Sequence, residues 1–147
     1  MKKTVSLIVL CAVILGALVL TGCLESSYSA SSIKSGLEKA GYTVSEYTPA
    51  TFEAAQYGRG LETSKMSGLK TVVYAYKQNS EGKTTEEFVA LIFDSISSVD
   101  KISNEDRGIL SDFARRYEVE SALGSANNVF YAGSKAAFTS TGIKTGF

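Results

Sequence analysis

Histidine and tryptophan are absent from this 147-residue sequence, and proline occurs once. The absence of histidine removes the commonest general base, so Ser-His and Cys-His nucleophile pairs are excluded. A single proline and a hydrophobic content of 44% argue against a long disordered linker protein. The length is that of one domain.

Excess charge of either sign is also missing. Lys and Arg total 15, Asp and Glu total 15, and the formal net charge is +0. Nucleic-acid binding driven by phosphate neutralisation needs a basic surface, so no nucleic-acid partner is expected.

The N-terminus has the pattern of a secretory signal. Lys2 and Lys3 form a short positive region, and residues 5–20 then contain no charged side chain. A helix over residues 5–20 would rise about 24 Å, which is short of the roughly 30 Å hydrocarbon core of a bilayer. This length favours the apolar region of a signal peptide over a permanent membrane span.

The residues that follow are an aliphatic residue, two small residues and a cysteine: Leu20, Thr21, Gly22 and Cys23. This pattern resembles the lipobox of bacterial lipoprotein precursors, and the resemblance covers residues 1–23. It implies that the Cys23 sulfur receives a diacylglyceryl group and that cleavage follows Gly22. The expected location is the extracytoplasmic face of the cell membrane, or the outer membrane where the organism has one. The alternatives are an uncleaved spanning helix and a buried core helix.

The resemblance divides the chain into three parts. Residues 1–22 form a signal peptide, residues 23–31 a lipidated N-terminus with a short polar tether, and residues 32–147 a single domain. Cys11 would leave with the signal and Cys23 would carry lipid, so the mature chain would have no free thiol and no disulfide. Without histidine or free cysteine, zinc and copper sites are nearly excluded, and we expect no cofactor or metal.

Residues 32–147 alternate between helix and strand signals. Helices are indicated after Ser32, after Thr48 with Pro49 at the first helical position, over residues 95–118 and after Ser134. Strands are indicated at 42–45, 71–76, 88–93 and 128–132. The pattern predicts an α+β fold, a small, mainly antiparallel four-stranded sheet with helices packed on it. Asn104 and Gly108 leave open whether 95–118 is one helix or two, and a helix remains an alternative at 88–93.

Carboxylates were the first candidates for catalysis. Glu86 and Glu87 are adjacent, so on a strand they point to opposite faces and cannot share a cleft. Asp94, at the end of an apolar run, is the single candidate for a perturbed carboxylate, and helix capping is its alternative role. The pairs Ser64-Lys65 and Ser134-Lys135 lack the Ser-x-x-Lys spacing of a serine–lysine nucleophile. No catalytic residue is therefore assigned.

Tyrosines give the only indication of a binding surface. Tyr74 and Tyr76 share one face of a predicted strand, because side chains alternate along it. Exposed, that face would be a flat platform for a glycan or peptide; packed under a helix, it would be core with each hydroxyl reaching the rim. Tyr74, Tyr76 and Asp94 are thus the speculative ligand-binding residues.

These observations favour a lipid-anchored, non-catalytic binding or interaction module of the cell envelope, bound to the membrane through Cys23. Its partner would be an envelope protein, a glycan or a peptide. The alternatives are a cell-envelope hydrolase that uses carboxylate or Ser-Lys chemistry, and a structural or assembly lipoprotein.

Overall fold

A computed structural model describes residues 27–145 of the protein. The predicted signal peptide, the lipobox with Cys23, and the first residues of the tether lie outside the described residues. Contacts between the N-terminal segment and the sheet include Tyr28, whose backbone N–H donates to Asn128 Oδ1 at 2.8 Å. The Asn128 amide returns a bond to the Tyr28 carbonyl at 3.1 Å, so the chain is fixed to the domain here.

Helices and strands alternate along the described residues in an α+β fold. In chain order they are α1 (Ala30–Lys39), β1 (Thr43–Tyr47), α2 (Pro49–Ala55), a 3₁₀ turn (Thr63–Lys65), β2 (Leu69–Gln78), β3 (Thr84–Phe93), α3 (Ile96–Val99), α4 (Asn104–Ala114), β4 (Ser121–Ala126), β5 (Val129–Ser134) and α5 (Lys135–Ser140).

The strands form one antiparallel sheet in the order β1-β2-β3-β5-β4. The long β2–β3 hairpin lies at its centre, with a tight turn at 79–83 where Asn79 Oδ1 accepts the backbone N–H groups of Glu81 and Lys83. The predicted antiparallel sheet and the strand at 88–93 are confirmed. Residues 88–93 read as a continuous apolar run because β3 is covered on both faces.

Helices cover both faces of this sheet, so there are two cores. One core lies beneath α2 and α4 and is built on alternate strand residues such as Val72, Val89 and Leu91. The other lies beneath α1 and α5 and uses the intervening residues, such as Val73 and Ala90. Below, these are called the α4 face and the α1 face.

The prediction of four strands was wrong, because β4 adds a fifth strand at the sheet edge. Its sequence, Ser-Ala-Leu-Gly-Ser-Ala, has no β-branched or aromatic residue and therefore lacks the usual strand signal. Antiparallel pairing with β5 defines this strand, although its residues have no local preference for strand structure.

Helix boundaries also differ in detail from the predictions. Ser29, not Ser32, caps α1, and it accepts the Ser32 backbone N–H. Residues 95–118, left open as one helix or two, contain two helices, and Ser103 caps the second. Thr48 caps α2 and Ser134 caps α5, as predicted.

The helix α2 ends at Ala55. Gln56 adopts a left-handed backbone with φ 58°, and this conformation stops the helix. This stop places Tyr57 in the following loop instead of on the helix.

Candidate functional site

Aromatic rings gather on the α4 face, over β1 and β2. We call this set the aromatic cluster: Tyr47, Phe52, Tyr57, Tyr74 and Tyr76. Tyr57 stacks on Tyr74 with ring centroids 4.4 Å apart and planes 9° from parallel. Tyr74 is 4% exposed and Tyr57 is 38% exposed, so one face of Tyr57 covers Tyr74 while the ring still reaches solvent.

Two partly buried tyrosines extend the cluster along the sheet. Tyr47 meets Tyr57 edge to face at 5.8 Å, and Tyr76 lies 5.9 Å from Tyr74. Burial, followed by a hydrogen bond with Tyr57, raises the pKa of Tyr47. Strand alternation places Tyr47, Tyr74 and Tyr76 on the same face.

The loop after α2 holds Tyr57 against the sheet. Gly58 is buried, and a Cβ atom there would lie 2.9 Å from Leu61 Cβ and 3.2 Å from a Phe52 ring carbon. This close approach requires glycine and seats the loop on the core beside Tyr57. Arg59 follows with a left-handed φ of 47° and an exposed side chain.

A buried ion pair lies next to the cluster. Glu87 Oε2 accepts from Arg116 Nη1 at 2.7 Å, with the two side chains 8% and 16% exposed. The Tyr74 hydroxyl donates to the other Glu87 oxygen. Burial and the bond to Glu87 raise the pKa of Tyr74, which keeps this hydroxyl a donor at physiological pH. Burial and the nearby Glu87 carboxylate also raise the pKa of Tyr117.

A cavity of about 260 Å³ opens beside Arg116. Its lining includes Arg59, Asp112 and Phe113 as well as Arg116, and it reaches Gly58, the neighbour of Tyr57. The Arg116 guanidinium lies 4.7 Å above the Phe113 ring centroid, which fixes its orientation from below. The cavity is smaller than the roughly 300–1,000 Å³ typical of sites that enclose a whole small molecule.

Glu86 forms a separate polar group on the α1 face, as the alternation predicted for adjacent glutamates. It accepts from the Tyr42 hydroxyl at 2.6 Å and from Ser134 Oγ at 2.7 Å. Burial opposes its ionisation, but the bonds from Tyr42 and Ser134 and the charge of Lys77 hold its pKa below the ordinary value. Burial and Glu86 raise the pKa of Tyr42 to about 12.

Ser134 lines a cavity of about 340 Å³ with Glu86, Glu120 and Lys135. Its hydroxyl donates to Glu86 and also accepts the Ala137 backbone N–H as the cap of α5. The Lys135 ammonium pairs with Glu120 rather than with this hydroxyl. Only 2% of Ser134 is exposed, and its bonds to Glu86 and Ala137 serve the fold.

Asp94 lies at the opposite end of β3 from the aromatic cluster. It is exposed and accepts from Ser98 Oγ at 2.7 Å and from Ser95 Oγ at 3.0 Å. These bonds hold its pKa below the ordinary value. Ser95, not Asp94, is the N-cap residue of α3, and the structure does not bring Asp94 together with Tyr74 and Tyr76.

Sequence reasoning missed most of the residues around Tyr74. Tyr47, Tyr57, Glu87 and Arg116 join it from β1, the loop after α2, β3 and the segment after α4. A signal for the ion pair was present, because a carboxylate at the start of an apolar run needs a buried partner.

Within residues 27–145 no group of three or more acidic or cysteine side chains is placed to hold a metal ion. No helix in the same region is both long and apolar enough to span a bilayer.

Comparisons with known proteins return no relative: no protein-family model, no curated protein and no solved structure matches this chain.

Proposed function

We propose that this protein is a lipid-anchored, non-catalytic binding module on the extracytoplasmic face of the cell membrane. The lipid would be carried by Cys23, and the ligand would contact the aromatic cluster. The observation that carries the binding role is the stack of Tyr57 on Tyr74. It holds an amphipathic ring at the surface, next to a cavity with polar and charged walls.

The rigidity of this arrangement supports binding. Tyr57 is supported by Tyr74 below and by Tyr47 at its edge, so little side-chain freedom remains to be lost when a ligand binds. Tyrosine provides an apolar ring with a polar tip, a combination that is enriched at binding surfaces.

The entry point of the chain supports anchoring close to the membrane. Asn128 bonds both the N–H and the carbonyl of Tyr28, and the Lys144 backbone N–H donates to the Tyr28 hydroxyl at 2.8 Å. The five residue steps from Cys23 to Tyr28 span at most about 18 Å. Acyl chains on Cys23 would therefore hold the domain near the bilayer surface.

Acyl labelling tests the anchor. Cells that express the full chain are supplied with a labelled fatty acid, and the purified protein is examined for label. We expect label on the wild type and on Cys11→Ala, and none on Cys23→Ala. Label that persists in Cys23→Ala would refute the anchor, as would its absence from the wild type.

Site-specific crosslinking tests the binding role. A photoreactive side chain replaces Tyr57 in the full chain, and a matched variant carries it at Leu123, which is 44% exposed on β4. We expect an adduct in intact cells that depends on position 57. Identical adducts at both positions, or none at 57, would refute the aromatic cluster as the ligand surface.

A further inference from the structure

We infer that the aromatic cluster binds a carbohydrate chain, with one sugar ring stacked on the outer face of Tyr57 and a neighbouring sugar in the Arg59–Arg116 cavity. This inference rests on the proposed function and names the ligand class for the same surface.

Ring geometry is the first argument. The inner face of Tyr57 lies against Tyr74 with the planes 9° from parallel, and the residue is 38% exposed. A sugar ring has an apolar C–H face and a rim of hydroxyls, which matches an apolar ring face surrounded by polar groups. Tyr47 and Tyr76 extend this amphipathic surface on the same side of the sheet.

Charge is the second argument. The Glu87 carboxylate and the Arg116 guanidinium neutralise each other at 2.7 Å. The cavity is also lined by Arg59 and by Asp112, which lies 3.9 Å from Arg115. Such a lining supplies hydrogen-bond donors and acceptors with charges of both signs, which suits a ligand rich in hydroxyl or acetamido groups.

Size is the third argument. The cavity of about 260 Å³ does not enclose a drug-sized ligand, and a second cavity of about 220 Å³ shares Gly58 and Arg59 with it. Small adjoining recesses beside an aromatic surface favour an extended ligand made of small repeating units.

The position of the tether places the aromatic cluster on the side of the domain away from the membrane. Tyr28 packs on the α1 face, near Phe93 at the end of β3. The Asn128 amide donates to the carbonyls of both residues. Glu87 lies six residues from Phe93 along β3, about 20 Å, and faces the α4 side. A chain anchored through Cys23 would therefore present the aromatic cluster away from the bilayer, toward polymers outside the membrane.

An extended peptide is less suited to this surface. Peptides commonly add to a sheet edge, and β1 is the edge strand next to the cluster. The Glu46 carboxylate on β1 pairs with Lys34 at 3.9 Å. Charged side chains on an edge strand discourage strand addition.

Titration of the full chain in detergent with an N-acetylglucosamine tetramer and with a neutral β-glucan oligomer tests the ligand class. Isothermal titration calorimetry measures each affinity without relying on the fluorescence of Tyr57, which the Tyr57 variants remove. We expect saturable binding of at least one oligomer, with affinity reduced about tenfold by Tyr57→Ala. Tyr57→Phe keeps the ring and should bind within about threefold of the wild type, as should the surface control Leu123→Ala.

The outcomes separate this inference from the proposed function. Failure of the wild type to bind either oligomer, or equal affinity of Tyr57→Ala and wild type, overturns the carbohydrate assignment. If crosslinking at position 57 then captures a peptide or protein, the binding module stands with a different ligand class. If crosslinking at position 57 also yields nothing, the proposed function fails with it.

Discussion

Arg116 and Glu87 form the buried link between two distant parts of the chain, with Nη1 and Oε2 2.7 Å apart across 29 residues of sequence. Glu87 belongs to the central strand β3, whereas Arg116 follows α4. The bond therefore fastens the end of α4 to the sheet at the edge of the aromatic cluster. The Tyr74 hydroxyl donates to Glu87, and the Tyr74 ring stacks on Tyr57. The ion pair therefore also positions the candidate binding surface.

Replacing Arg116 by methionine should destabilise the domain by roughly 2–4 kcal/mol. The substitution keeps the stem of the side chain but leaves Glu87, only 8% exposed, without its counter-charge. Urea unfolding followed by circular dichroism measures the difference. Adding Glu87→Gln to the variant removes the buried charge and should recover part of the loss.

The neighbouring residue provides a matched control for this prediction. Arg115 is 68% exposed and bonds to Ser111 on its own helix, so Arg115→Met should change the free energy of unfolding by less than about 0.5 kcal/mol. Equal effects of the two arginine substitutions would show that the Glu87 pair contributes nothing specific.

Two helical glycines should respond to alanine in opposite ways. Alanine normally favours a helix over glycine by about 1 kcal/mol. A Cβ atom on Gly36 of α1, however, would overlap the Ser140 carbonyl oxygen of α5, whereas one on Gly108 of α4 has no atom within 4 Å. We expect Gly36→Ala to lower stability by about 1–3 kcal/mol and Gly108→Ala to raise it by about 0.5–1 kcal/mol.

Thermal unfolding of the two variants measures these opposite changes in stability. Both variants replace a helical glycine by alanine in the same protein, so only the surroundings of the glycine differ. A stabilising Gly36→Ala would mean that α1 and α5 do not approach each other as closely as the structure shows.

The Tyr42–Glu86 bond predicts how stability changes with pH. The pKa of Glu86 is lowered on folding, so its contribution is present above its unfolded pKa of about 4.5 and is lost as pH falls through the folded value. The pKa of Tyr42 is raised from 10.0 to about 12, so its contribution is present below pH 10 and is lost as pH rises toward 12.

The variant Tyr42→Phe should change both limbs of this profile. It removes the alkaline contribution of Tyr42, and it moves the acid loss to higher pH because Glu86 keeps only the Ser134 bond. Near neutral pH the cost should be about 1.5–3 kcal/mol, the range for one hydrogen bond to a charged group. Urea midpoints measured from pH 3 to 11 test this, and limbs that coincide with those of the wild type would refute it.

Much of the fold was predictable where local chemistry agrees with the final packing. Thr48 with Pro49 and the serine at 134 are strong helix-start signals, and the apolar run at 88–93 corresponds to a strand covered on both faces. The strand β4 was missed because its small residues have no local strand preference, and only its pairing with β5 defines it. Register and neighbours, not propensity, decide such edge strands.

The candidate site was predictable only in part. Tyr74 and Tyr76 were correctly placed on one face, since alternation along a strand is a local property. Tyr57 and Arg116 could not be placed beside them, because the distances between separate elements depend on how α2 and α4 pack on the sheet. The adjacent residues Glu86 and Glu87 indicated that their carboxylates point to opposite faces, but the sequence did not identify the partners of either one.

Those two glutamates also constrain how the hairpin can align. Each carboxylate meets its hydroxyl and charged partners on one side of β3 only: Tyr42 and Ser134 for Glu86, and Tyr74 and Arg116 for Glu87. A one-residue slip of β3 would turn both carboxylates into the wrong layer and leave each without those partners. A mispaired hairpin would therefore lose the partners of both glutamates. This loss should keep misaligned, aggregation-prone species scarce while the chain folds.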